Sequence, residues 1–94
     1  MARDAGVRNI EELREFGKQM QDMGEYMYSV MLEAKNRMAY VSEGWQDDQN
    51  EQFKVYFDES VETVRQMSEE FSLYNDYIQQ ISDQLEEYKG VRLK

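Results

Sequence analysis

The sequence predicts an all-α protein: an antiparallel two-helix hairpin that dimerises into a four-helix bundle. Three observations predict it. Apolar residues recur in alternating steps of three and four along two long stretches, the mark of helices packed along their length. Proline is absent and only five glycines occur among 94 residues, so little opposes helix. A short break, Ser42-Glu43-Gly44-Trp45-Gln46-Asp47-Asp48, separates the two stretches. A chain of this length suits one domain, here residues 1–94.

The first helix is expected over about residues 10–43. Its apolar track reads Ile10, Leu13, Gly17, Met20, Gly24, Met27, Met31, Ala34, Met38, Val41 and Trp45. Asn9 followed by Glu12 has the spacing of a capping box, in which each side chain satisfies an orphan backbone N–H. The bend, about residues 44–47, carries the only tryptophan of the chain, Trp45. An indole brings a large apolar surface and an N–H that wants a partner. At a bend it is either a docking point or a plug for the bundle end.

The second helix is expected over about residues 48–89. Asp48 and Glu51 repeat the capping spacing, with Asp47 as an alternative cap, and acidic residues in the first turn suit the positive end of the helix dipole. The track chosen is Phe53, Phe57, Ser60, Val64, Met67, Phe71, Tyr74, Ile78, Ile81, Leu85 and Tyr88. Gly90 suits a left-handed position that closes the helix, and residues 1–8 and 91–94 are expected to fray.

So short a connection makes the helices antiparallel neighbours. Gly24 then lies near Phe71, and Gly17 near Tyr74 and Ile78. Each mid-helix glycine costs about 1 kcal/mol relative to alanine; the pairing explains them as room for rings on the other helix. Phe16, Met23 and Val30 form a second stripe seven residues apart. Tyr26, Leu32, Tyr40, Tyr56, Val61, Leu73 and Tyr77 also fall off the two tracks. Two helices alone cannot bury all of this, and a spaced stripe usually marks a partner.

Composition narrows the chemistry. Cysteine and histidine are both absent, which removes disulfides, thiol nucleophiles, the usual general base and the commonest zinc ligand. The formal net charge is −9 and uneven: six Lys/Arg against eight Asp/Glu in residues 1–43, five against twelve in 44–94. Phosphate backbones and anionic membranes repel such a chain, so nucleic acid is not an expected partner. No apolar run reaches the roughly 18–20 residues of a transmembrane helix, and no cleavable signal opens the sequence. Di-metal carboxylate bundles need Glu-x-x-His pairs. Calcium loops need a glycine and alternating acids that Asp47-Asp48-Gln49-Asn50-Glu51 lacks. The sequence therefore predicts neither an enzyme nor a metal or cofactor site.

The bend, Ser42-Glu43-Gly44-Trp45-Gln46-Asp47 followed by Phe53 and Phe57, resembles that of the WXG family of type VII secretion substrates. The resemblance spans nearly the whole chain, although only the bend is motif-like. In that family the bend reads Trp-x-Gly; here Asp47 takes the glycine position. The resemblance implies a small protein acting by protein–protein interaction, cytoplasmic before export and secreted by a signal-peptide-independent route. Its expected partners are itself or a paralogous helical hairpin, together with secretion machinery or a larger toxin. Trp45, Gly44, Asp47 and Phe53 are the candidate binding residues at the bend, and Phe16, Met23 and Val30 those of the stripe. The family's Tyr-x-x-x-Asp/Glu signal has no match: Tyr74, Tyr77 and Tyr88 are followed at that offset by Ile78, Ile81 and Arg92. That departure implies export through a partner bearing the signal, or an adaptor for a toxin. A cytoplasmic secretion chaperone and a purely structural self-assembling bundle are the alternatives.

Overall fold

A computed structural model describes residues 9–92, with side chains described for 9–88. Two helices, α1 (Ile10–Ser42) and α2 (Asp48–Arg92), lie side by side as an antiparallel hairpin, with no strand among the described residues. The molecule is a rod of 71 × 17 × 16 Å. Its length follows from the rise of about 1.5 Å per helical residue. Its width is that of one helix layer, so each helix has one neighbour and most of its circumference remains open.

Local chemistry sets the helix ends. Asn9 is extended and its side chain accepts the Glu12 N–H at 3.1 Å, capping α1. Asp47, rather than Asp48, caps α2: its carboxylate accepts the Asn50 N–H at 3.0 Å and Asp48 is the first helical residue. The third N–H of the helix is the one an N-cap side chain reaches. Helix α2 passes through Gly90 to Arg92 instead of closing there. Glycine permits a left-handed turn without imposing one. The expected fraying of residues 91–94 is corrected at 91 and 92, which continue α2; the rest of that expectation, at 1–8 and 93–94, lies outside the described residues.

The seam between the helices corrects the expected track on α2. Phe57, Val64, Met67, Phe71, Ile78, Ile81 and Leu85 are at least half-buried, as expected, Met67 and Ile81 lying at the margin of the seam. Phe53, Ser60, Tyr74 and Tyr88 are exposed instead. Val61, expected off the seam, is the most buried hydrophobic residue at 8% exposure, and Ser82 is completely buried. The α2 seam therefore runs Phe57, Val61, Val64, Ser68, Phe71, Asn75, Ile78, Ser82, Leu85. It shares every second member with the expected track and takes the other half from the adjacent heptad position.

The reason lies on α1. A Cβ placed on Gly24 would stand 3.1 Å from Phe71 Cβ and 3.2 Å from the Ser68 backbone. One placed on Gly17 would stand 2.7 Å from Asn75 Oδ1 and 3.0 Å from Ile78. Both glycines thus admit the other helix, and Phe71 and Ile78 are the expected neighbours; Asn75 and Gln79 meet Gly17 where Tyr74 was expected. Beside them α1 presents polar groups that need polar partners. Asn75 donates to Gln21 Oε1 at 2.7 Å, and Gln79 Nε2 donates to Asn75 Oδ1 at 2.9 Å and to the Arg14 carbonyl at 3.0 Å. Arg14 in turn reaches Gln79, Asp83 and Glu86. Only the track containing Asn75 can meet these groups.

At the bend end, Ser42 and Asn50 are both buried, and the Ser42 hydroxyl donates to Asn50 Oδ1 at 3.1 Å. This bond ties the last residue of α1 to the first turn of α2. Asn50→Ala leaves the buried hydroxyl unpaired and is expected to lower unfolding free energy by about 1–3 kcal/mol. Adding Ser42→Ala to that variant removes both polar groups and is expected to recover much of the loss. Urea titration of the two single variants and the pair tests this, and strictly additive losses would refute the coupling.

Candidate protein-interaction face

Because the seam takes the more polar of two available tracks, the more apolar one faces out. Relative to the seam, residues 13, 20, 27, 34 and 41 of α1, with 16, 23 and 30 beyond them, lie on one flank. Residues 53, 60, 67, 74, 81 and 88 of α2 hold the corresponding flank. An antiparallel neighbour both runs and faces the opposite way, and two reversals restore the sense of rotation. These flanks therefore fall on the same side of the rod at about 100° per residue. A groove of about 450 Å³ lined by Met23, Tyr26 and Met27 of α1 and Phe71 of α2, with Asp22 at its edge, shows the two helices sharing it.

The opposite side is polar. It holds the Arg14–Asp83/Glu86 cluster and the Lys35–Asp58 pair at 3.4 Å. Arg65 clasps Glu62 and Glu69 along α2. The Arg65 hydrogen bond holds the Glu62 carboxyl below its ordinary range, and the Glu62 contact raises Arg65 in turn. The carboxylates of these pairs are solvent-exposed, so each pair contributes little to stability. The hairpin has one wet face and one apolar face.

The stripe residues are exposed on the apolar face: Phe16 at 47%, Met23 at 54% and Val30 at 43%. They approach no residue of the bend. Trp45 and Met23 stand 22 residues apart in sequence, which is about 33 Å of helix. The candidates thus form one long face with two regions rather than a single pocket.

The bend region is aromatic. Trp45 is half-buried, with its ring centroid 6.3 Å from that of Phe53, which stacks on Phe57 at 5.9 Å. Beside the indole opens a groove of about 430 Å³ lined by Trp45, Asp48, Gln49, Gln52, Phe53 and Tyr56. The indole therefore packs on one side and borders the groove on the other. Its position is fixed by two successive backbone bonds, Gly44 N–H to the Val41 carbonyl and Trp45 N–H to the Ser42 carbonyl. Gly44 is exposed, and a Cβ there would meet only the Val41 carbonyl, at 3.9 Å. Asp47 acts through its cap, setting where α2 begins beneath the indole.

Apolar counting missed Tyr56, which lines the Trp45 groove, and the outward position of Tyr74, whose ring sits 6.2 Å from Phe71. The signal for Tyr56 was its spacing of three from Phe53, one helical turn. Among the described residues no group of three or more acidic side chains could hold a metal ion, and no helix is long and apolar enough to cross a membrane.

Residues 8–88 match the model of the WXG100 family, described as proteins of 100 residues with WXG. Neither the curated proteins nor the solved structures gave a match.

Proposed function

The chain belongs to the WXG100 family, and on that premise we propose that it acts by docking: its apolar face packs against a second helical hairpin, completing a four-helix bundle, while Trp45 at the bend is left to engage the secretion apparatus or a larger toxin. The family comprises small, non-enzymatic helical proteins associated with type VII secretion and exported without a signal peptide. The observation that carries the proposal is the choice of seam. The hairpin closes on Phe57, Val61, Val64, Phe71, Ile78 and Leu85 interleaved with glycine, serine and asparagine positions, and leaves Phe16, Met23, Val30, Tyr74 and Phe53 outside. An apolar stripe of that length on a soluble chain marks a partner surface.

Replacing Met23 and Val30 together by Asp tests the pairing. Both side chains already face solvent in the single hairpin, so helicity is expected to persist. A partner packed on them would have to bury unpaired carboxylates, and association is expected to disappear. Sedimentation and circular dichroism on the same samples read both effects. Undiminished association in the double variant would place the partner elsewhere and refute the face.

A further inference from the structure

The groove beside Trp45 says which chemical group the bend can hold, on the reading above that Trp45 engages a partner. Its walls are aromatic. Gln49, Gln52, Phe53 and Tyr56 lie one helical turn apart along α2 and share one face, and Trp45 closes the groove from the bend. Phe53 and Tyr56 are 42% and 57% exposed, and the indole meets Phe53 at a tilt of 36° rather than face to face. Ring surface is therefore left over to border the groove.

The polar edge of the groove offers acceptors. Asp48 is exposed, and its carboxylate makes no hydrogen bond or ion pair among the described residues; the cap of α2 belongs to Asp47. Gln52 donates its Nε2 to the Tyr56 hydroxyl at 3.0 Å, which leaves its Oε1 to accept. Between Arg37 and Lys54 the chain carries Glu43, Asp47, Asp48 and Glu51 and no Lys or Arg, so the potential at the bend is negative. Lys54 itself lines a groove on the other side of the rod, with Lys35 and Asp58.

These features choose among occupants. An anion would be repelled. An apolar side chain would fit the rings but would shut the Asp48 carboxylate away from water without a partner. A guanidinium meets every wall: it is planar, stacks on aromatic faces, keeps its charge and donates through five N–H groups. We propose that the Trp45 groove takes an arginine side chain of the docking partner, stacked against the aromatic walls with its N–H groups on Asp48 and Gln52. The rings supply the contact; the carboxylate supplies the choice of a cation.

Trp45 is the only tryptophan of the chain, so its emission and its indole N–H resonance report this groove alone. The probes are two blocked peptides, acetyl-Gly-Leu-Arg-Leu-Gly-amide and the same peptide with citrulline, the uncharged isostere, in place of arginine. The arginine peptide is expected to bind at least about fivefold more tightly than the citrulline peptide. Asp48→Asn is expected to erase most of that preference. Asp76→Asn removes the same charge from an exposed residue that makes no ion pair. It lies 28 residues farther along α2, about 42 Å away, and the preference is expected to survive it. Equal binding of the two peptides to the wild type overturns the inference, and so does a preference that Asp48→Asn leaves intact or that Asp76→Asn weakens as much. No saturable response to either peptide up to about 20 mM also overturns it. Partner capture or export by Trp45→Ala judges the docking reading separately. If capture is lost in that variant while arginine is not preferred, Trp45 docks through another chemistry; if capture is retained, both readings fall.

Discussion

Gly24→Leu is expected to lower the unfolding free energy by about 1–3 kcal/mol, although leucine is much the better helix former. The Cβ alone would crowd Phe71 and the Ser68 backbone at 3.1–3.2 Å, and three further carbons would have to enter the same space. A backbone cannot swing aside as a side-chain tip can, so the helices must separate locally. Propensity acts the other way, by up to about 1 kcal/mol. The two effects have opposite signs, and thermal and urea unfolding decide between them. A variant more stable than wild type would show that Gly24 is a tolerated defect and that this part of the seam is loose. Alanine is the graded control: its single carbon asks a few tenths of an ångström of its neighbours, so the stability of that variant should lie well above that of the leucine variant.

Trp45→Ala separates folding from recognition. The indole is half-buried and its main aromatic contact is Phe53. Its removal is expected to cost about 1–2 kcal/mol, from the tilted aromatic pair and part of its buried area. That is well short of the roughly 3–5 kcal/mol for an aromatic truncated in a closed core. Helicity should persist because the Ser42–Asn50 bond and the Asp47 cap hold the bend independently of the ring. Capture of the secretion partner, or export, should nonetheless be lost, since the groove at the bend loses its largest wall. Melting temperature and a pull-down or secretion assay on one preparation read both. A variant that melts tens of degrees lower, yet is exported normally in the cold, would make Trp45 an end plug and leave recognition to other residues.

The two variants probe opposite ends of one design. Tight glycine contacts let the hairpin close without turning every large apolar residue inward, which leaves Phe16, Met23, Val30 and Tyr74 on the outer face. The Trp45 groove continues that face to the end of the rod. A change in the seam is therefore expected to act on stability first, and a change on the face to act on association first.

Much of the architecture is legible in the residues. Two periodic tracks, a capping asparagine nine residues in and a break around Trp45 determine two helices and a bend, because the 3.6-residue period and the N-cap bond are local. The facing of Gly24 and Phe71 also follows, from the length of the connection. The side of α2 that turns inward does not. Two adjacent heptad tracks share Phe57, Val64, Phe71, Ile78 and Leu85, and apolar counting prefers the one with Tyr74 and Ile81. Only the tertiary structure chose the other, because Gln21 and Arg14 on α1 must find Asn75, Gln79 and Asp83 when the helices meet. A polar group in a seam is satisfied by a partner from the other helix, and no periodicity within one helix encodes that pairing. The sequence determined how many helices there are and where they turn; packing decided which face they spend on each other and which they leave for a partner.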